Sequence, residues 1–546
     1  MRKRNIFFLL LVVIIFYQCI PYQEEVLTDV NFDLSTPEFQ QFYDLQDRQE
    51  LDSLALYFQH KDPSYRYATA MAFASIKDGK FMNYLGSLLE DPVEEVRNAA
   101  AYAIGQIGDK DGANYLLDAF QTEDSLGEHN IFNANLLEAV GKCGTDKMLY
   151  FLSTTETYTN RDTQLCEGQA YGIYRYMLRK KVIPEGTNRM VKFLTQKGYP
   201  PSVRLVAANY LMRATGIKID SFAAPLTKEL LREENPHIRM ALAIGLGKTK
   251  VPIALDGLRE LFAGERDYRV KCNIINALGN FKYEDALPII IKGLEDRNIH
   301  VSTTAANFFY NNGIPKAAAV YRNIARQNLE LNPLSKIILY KAANKHLNIY
   351  SFNTRRALQY ELKDMYVKIE DIYLKAEILR ALGEYPKNYK DIYSLAFNSP
   401  KQVLRTAATE ALETVCKNPN FNIAFGSSAN FIKKEIAGYF QEAMEKGDPA
   451  MTAVAAIALR VPVMEFDLVY DSLDFLQTAK ENLDLPKETE TLYELQRTID
   501  AFNGKETKDE QLPKPEFNNE IKWRVCLLYT SPSPRDATLS RMPSSA

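Results

Sequence analysis

The sequence has one tryptophan, five histidines and six cysteines in 546 residues. The histidines (His60, His129, His237, His300, His346) are dispersed, and Cys143, Cys166, Cys272 and Cys416 occur singly, with no CxxC spacing and no histidine beside them. Neither a zinc site nor a Cys/His dyad is suggested. These cysteines read as buried free thiols, with a disulfide between two of them as the alternative in an oxidising compartment. No Walker A loop, no G-x-G-x-x-G after a strand, no H-E-x-x-H, no EF-hand loop and no G-x-S-x-G is present. No catalytic residue, cofactor or metal is therefore expected. Charge of either sign is barely in excess: 66 Lys and Arg against 69 Asp and Glu give −3. Arg2, Lys3 and Arg4 belong to the extreme N-terminus, so the rest is more acidic still, which argues against a nucleic-acid backbone as the main partner.

What is present is ordinary for folded protein: 46% hydrophobic and 25% charged residues. The chain opens with a basic start and an apolar run from Ile6 to Tyr17, followed by Cys19. A membrane span needs about 20 apolar residues. This shorter run has the n-region and h-region of a secretion signal. Export is expected, to the periplasm or the outer membrane. Cys19, the first cysteine after the run, resembles the lipidated cysteine of bacterial lipoproteins, with Gln18 where that family has a small residue. Lipidation at Cys19 and an uncleaved anchor are the two open routes to a membrane. Segment 1–19 is read as this signal and 20–50 as an N-terminal linker or cap.

Repetition organises the rest. "DPSYRYATAMAFASI" from Asp62, "DPVEEVRNAAAYAIGQIG" from Asp91, "NPHIRMALAIGLG" from Asn235 and "DYRVKCNIINALGNF" from Asp267 share one plan, with further copies from Asn332, Ser399 and Asp448. A residue able to N-cap a helix comes first, usually with Pro in the first turn. A basic residue follows (Arg66, Arg97, Arg204, Arg239, Arg269, Arg405), then alanines, then in several copies an Ala-apolar-Gly ending at Gly105, Gly141, Gly245, Gly279 or Gly383. Alanine permits close helix approach, and Gly near a helix end is expected to supply the left-handed residue that terminates it. A second amphipathic helix then runs to the next cap, so the unit is a helix pair. Gly105 and Gly141, like Gly245 and Gly279, are about 35 residues apart, the scale of a solenoid repeat, because one pair cannot bury its apolar face alone.

The alternation of cap, Arg, Ala-rich helix and second helix resembles HEAT repeats in their short bacterial form. It is closest in the copy Asp91…Val96-Arg97…Ala99-Ala100…Gly105 and spans about Leu51 to Asp500. The stretch from Ile314 to Glu370 carries it weakly. The resemblance implies an all-α fold, an α–α superhelix of the HEAT/ARM solenoid kind with a right-handed turn. It also implies that recurring Asp and Arg form a ladder between successive repeats. The other reading of the arginines is an anion-binding row. The partner implied is a protein or peptide on a long curved face.

After Ala501 the chain turns charged and proline-bearing with no apolar stripe, and 501–525 reads as a linker. Back-translated, Cys526 to Ala546 reads in one frame, outside a short index, as the transposon end and flow-cell primer of tagmentation sequencing libraries. Segment 526–546 is expected to be adapter-derived, with the natural gene continuing past Val525. The order of signal, HEAT-like array and linker resembles bacterial envelope proteins in which a cyclophilin-type peptidyl-prolyl isomerase domain comes next. Two functions are open: an exported non-catalytic scaffold, or the substrate-holding half of such an isomerase.

Overall fold

The computed structural model describes residues 29–32, 35–122, 126–156, 158–328, 330–464, 474–483 and 489–505. Cys19 with the rest of segment 1–19, the linker from residue 506 on, and segment 526–546 lie outside the described residues. Among those described, all regular structure is helical, with no strand. The fold is all-α, an α–α superhelical repeat, arranged in two compact units, 1–245 and 246–546.

The first unit begins with α1 (Pro37–Asp47) and α2 (Leu51–Ala55). Helix pairs follow: α3 (Pro63–Ile76) with α4 (Met82–Leu88), α5 (Glu94–Ile107) with α6 (Gly112–Asp118), and α7 (Asn130–Cys143) with α8 (Asp146–Thr154). Next come α9 (Thr163–Leu178) with α10 (Pro184–Thr195), and α11 (Pro201–Arg213) with α12 (Ala223–Arg232). The first helices α3, α5, α7, α9 and α11 pack on one another in chain order, and each of α4, α6, α8 and α10 packs against the first helix of the following pair. The segment read as a linker or cap holds α1, whose buried Phe39 stacks on Tyr65 of α3 at 4.2 Å. It covers an apolar end that the first pair would otherwise expose.

Local chemistry explains the starts and the tight spacing. Asp62 caps α3 by accepting the Ser64 N–H at 2.8 Å, with Pro63 in the first turn. Asp91 does something different: α5 starts three residues later, and the Asp91 carboxylate accepts from the Val93 N–H at 3.0 Å. Ala99, Ala100, Ala101 and Ala103 of α5 are buried, which lets its neighbours close in. The glycines expected to supply left-handed helix ends do not adopt that conformation, although Gly279 and Gly383 do stand at helix ends. Gly105 and Gly141 lie inside α5 and α7, and neither these nor Gly245, Gly279 and Gly383 have positive φ. A Cβ on Gly141 would fall 2.7 Å from the Cα of Gly172 on α9, so the missing side chain allows two helix backbones to touch. The left-handed endings fall later, at Lys77 (φ 61) after α3 and Gly108 (φ 78) after α5.

α13 (Pro236–Gly247) carries the boundary between the units. The second unit continues with α14 (Pro252–Gly264), α15 (Tyr268–Leu278), α16 (Tyr283–Leu294), α17 (Ile299–Asn312), α18 (Ala318–Gln327), α19 (Pro333–His346) and α20 (Phe352–Lys368). It ends with α21 (Ile372–Gly383), α22 (Tyr389–Ile392), α23 (Gln402–Lys417), α24 (Phe421–Phe425), α25 (Ala429–Glu445), α26 (Pro449–Leu459), α27 (Asp474–Glu481) and α28 (Thr489–Phe502). Here α15, α17, α19, α21, α23, α26 and α28 form the successive layer, and α14, α16, α18, α20, α22, α25 and α27 each pack against the next member of it. The pairing runs unbroken through 314–370, where the sequence pattern is weakest.

Candidate binding surface

The recurring basic residues sit near the start of the first helix of each pair. Arg66 donates from Nε and Nη2 to the two oxygens of Asp91 in the next loop, at 2.7 and 2.9 Å. Its Nη1 turns back to the carbonyls of His60 and Lys61 at 2.8 and 3.1 Å. The same backward reach recurs in Arg97 to Asp91 and Pro92 (2.8 and 3.3 Å), in Arg239 to Glu233 and Glu234 (3.2 and 2.7 Å), and in Arg405 to Ser399 (3.0 Å). The forward reach recurs in Arg405 to Asp448 at 2.7 Å and in Arg204 to Glu229 and Glu233. Each such side chain ties down the loop before its helix, and several also bind the acid of the next repeat. In the copy from Asp267 the bridge to the next repeat is made by Lys271, whose Nζ lies 2.7 Å from Asp296. Arg269 instead pairs with Asp267, two residues before it, at 2.7 and 3.1 Å, and that guanidinium holds the Asp267 carboxyl at about 2.

The first-helix layer in unit 1 carries a second set of polar residues, all partly buried, that the repeat pattern did not single out. Asn135 Nδ2 donates to Asn98 Oδ1 at 2.9 Å, and Arg175 donates from Nη2 and Nε to Glu138 Oε1 at 2.7 and 2.9 Å. Lys142 Nζ lies 3.8 Å from Glu138 and 4.5 Å from the centre of the Tyr102 ring. Burial pulls the Lys142 ammonium down to about 8, against the attraction of Glu138, which it shares with Arg175. Tyr67 and Tyr171 extend this strip on α3 and α9, both half-buried. Both hydrogen-bonded pairs join residues 37 apart, one repeat, so a search for polar partners at the repeat spacing is the signal that finds them.

Chemically this strip is a set of hydrogen-bonding, charged and aromatic groups. It offers amides, aromatic faces and a lysine and an arginine sharing one carboxylate. Among the described residues no group of three or more His, Cys, Asp or Glu could hold a metal ion, and no helix is long and apolar enough to cross a membrane. Cys143, Cys166 and Cys416 are buried free thiols, and Cys272 is half-buried. Burial raises Cys143 to about 12 and Cys166 to about 11, which leaves both as unreactive thiols at neutral pH.

Residues 51–127 match the family model described as HEAT repeats, and residues 270–296 match the PBS lyase HEAT-like repeat. The chain thus carries HEAT repeats in both units. Among curated proteins, none matches. Of solved structures, a Kap121p mutant aligns with a TM-score of 0.42 at 11% identity, over 86% of this chain and 66% of that one. The S. pombe condensin Cnd3–Cnd2 subcomplex aligns with a TM-score of 0.31 at 14% identity, over 85% of this chain and 76% of that one. An engineered protein aligns with a TM-score of 0.30 at 15% identity, over 76% of this chain and 98% of that one.

Proposed function

We propose that this chain is a non-catalytic scaffold that binds a protein or peptide along the first-helix layer of its repeats. The observation that supports this most is the strip from Tyr67 through Tyr102, Asn98–Asn135 and Lys142–Glu138–Arg175 to Tyr171. It crosses four successive first helices, α3, α5, α7 and α9, without interruption. Aromatic and guanidinium groups on a preformed helical surface are the side chains that carry most binding energy in protein interfaces. The remaining parts of the reading rest on sequence. Export follows from the run Ile6–Tyr17, membrane attachment from that run or from Cys19, and the link to a peptidyl-prolyl isomerase from the order of segments.

The test is selection of peptides from a displayed library on the immobilised full chain, followed by titration of the best peptide against variants. Tyr102→Ala and Lys142→Ala should each weaken it by about ten-fold or more. An affinity unchanged by both places binding elsewhere and rejects this reading.

A further inference from the structure

The turns leaving each first helix in unit 2 lie side by side along one edge. His346 Nε2 is 3.0 Å from the Tyr310 carbonyl oxygen, Asn418 Nδ2 donates to the Glu384 carbonyl at 3.2 Å, and the rings of Tyr389 and Phe425 are 5.7 Å apart. Each contact links the end of one first helix, or the turn after it, to its counterpart in the next repeat. This edge is basic. Lys250, Lys282, Lys316, Lys345, Lys387 and Lys390 are all exposed on it. Of the acids nearby, Glu384 is buried against Lys341 and Tyr310, Glu435 pairs with Lys390 at 3.4 Å, and Glu284 and Asp285 occupy a helix first turn, which the helix dipole favours. At the opposite edge, the turns leaving each second helix carry chiefly acids: Glu295, Asp296, Glu330, Glu370 and Asp371. Both kinds of edge hold the end of one helix and the start of another, so the dipoles do not account for the difference.

Large apolar side chains project from the basic edge beside the lysines. Tyr350 is 70% and Phe431 69% exposed, with Phe352 and Ile423 more than half exposed. Lys387 Nζ lies 5.3 Å from the centre of the Phe352 ring. Tyr350 stands in a turn, Ile423 in the short helix α24, and Phe352 and Phe431 in the first turns of α20 and α25, so they project outward at the helix starts and fit a broad soft surface better than a peptide. Aromatic rings between lysines are the combination that settles at the boundary of an anionic bilayer, with rings at headgroup depth and ammonium groups at the phosphates.

We infer that the edge formed by the turns after α13, α15, α17, α19, α21 and α23 docks peripherally on an anionic phospholipid surface. This goes beyond the scaffold reading and is independent of the N-terminal segment, which is the same in every protein compared in its test. The full chain is sedimented with vesicles of phosphatidylcholine alone and with phosphatidylglycerol added. Replacing Lys250, Lys282, Lys316 and Lys387 by Gln should lower partitioning onto the anionic vesicles by about five-fold for each lysine, with an unchanged circular dichroism spectrum and Tm. In separate variants, Phe352→Trp and Phe431→Trp should blue-shift on anionic vesicles, while Tyr373→Trp at the opposite edge should not. Equal partitioning of the wild type and the four-lysine variant overturns the inference. So does silence of both edge tryptophans combined with salt-reversible, lysine-dependent binding of a polyglutamate peptide, which would give the edge to an acidic protein.

Discussion

Replacing Asp91 by Ala removes the acceptor of two charge-assisted bonds from Arg66, at 2.7 and 2.9 Å, and of the Val93 N–H at 3.0 Å. The Arg66 and Asp91 side chains are only 12% and 4% exposed, so water cannot fully replace the lost acceptor. Breaking a buried pair by removing one partner costs about 3–5 kcal/mol. Arg66 keeps its bonds to the carbonyls of His60 and Lys61, which places the expected loss at the lower end, about 3 kcal/mol. In a double-mutant cycle with Arg66→Ala, most of that loss should appear as coupling, at about 2 kcal/mol. The pair Lys80–Asp52, at 2.6 Å but 52% and 80% exposed, serves as the control and should couple by less than about 0.5 kcal/mol. In a chain with two compact units a global melt does not isolate one contact. The assay is therefore hydrogen exchange of peptides from α3 and α5, which reads local opening free energy. Coupling no larger than that of Lys80–Asp52 would refute the view that these bridges hold neighbouring repeats together.

Gly141→Ala should cost about 2–3 kcal/mol, because the new methyl meets the backbone of Gly172, which cannot swing aside. Ala100→Leu, at a fully buried position in α5, should cost about 1–3 kcal/mol. An unchanged Tm in either case would show that the helices are not in such contact. Burial lowers the folded Lys142 to about 8, below its ordinary value of 10.5, so the unfolded chain binds more protons between those values. Stability should therefore rise with pH from about 8 to about 10.5 through this group. Lys142→Met should flatten that part of the Tm–pH curve, and an identical slope in both proteins would contradict it. N-ethylmaleimide should label the half-buried Cys272 before the fully buried Cys143, Cys166 and Cys416, as read by peptide mass, and equal labelling of all four would contradict it.

The repeat was legible because two of its requirements are strong local rules: an oxygen cap before Pro, and alanine where helices meet. What was less legible depends on geometry across repeats. Arg269 sits where a first-turn arginine is expected, yet the side chain that faces the next repeat is Lys271, two positions on and carrying the same charge. Between Ile314 and Glu370 the pattern fades for a chemical reason. In the copy just before that stretch, Ser302 stands at the position of the basic residue, and its bridge into the stretch is a hydrogen bond with Asn332, which also caps α19 through the Ser335 N–H at 2.8 Å. A neutral bridge does the work of an ion pair and leaves no charge to find. The glycines were visible, but a close helix crossing and a left-handed helix end ask for the same residue, and only coordinates separate the two. The strip of Asn98, Asn135, Glu138, Lys142 and Arg175 was not picked out, since its cross-helix bonds, Asn98–Asn135 and Glu138–Arg175, join residues one repeat apart.

Excising one whole helix pair tests most directly whether the chain is a stack of like units. Deleting residues 299–332, which comprise α17, α18 and the loop up to the start of α19, should bring α19 into the place of α17. In a stack where each pair packs on its neighbours, the shortened protein keeps its helicity per residue and a cooperative melt. Deleting α17 alone, residues 299–312, should reverse the order of the layers beyond it and abolish both. If the whole-pair deletion unfolds the second unit as completely as the deletion of α17 alone, the repeat account is wrong.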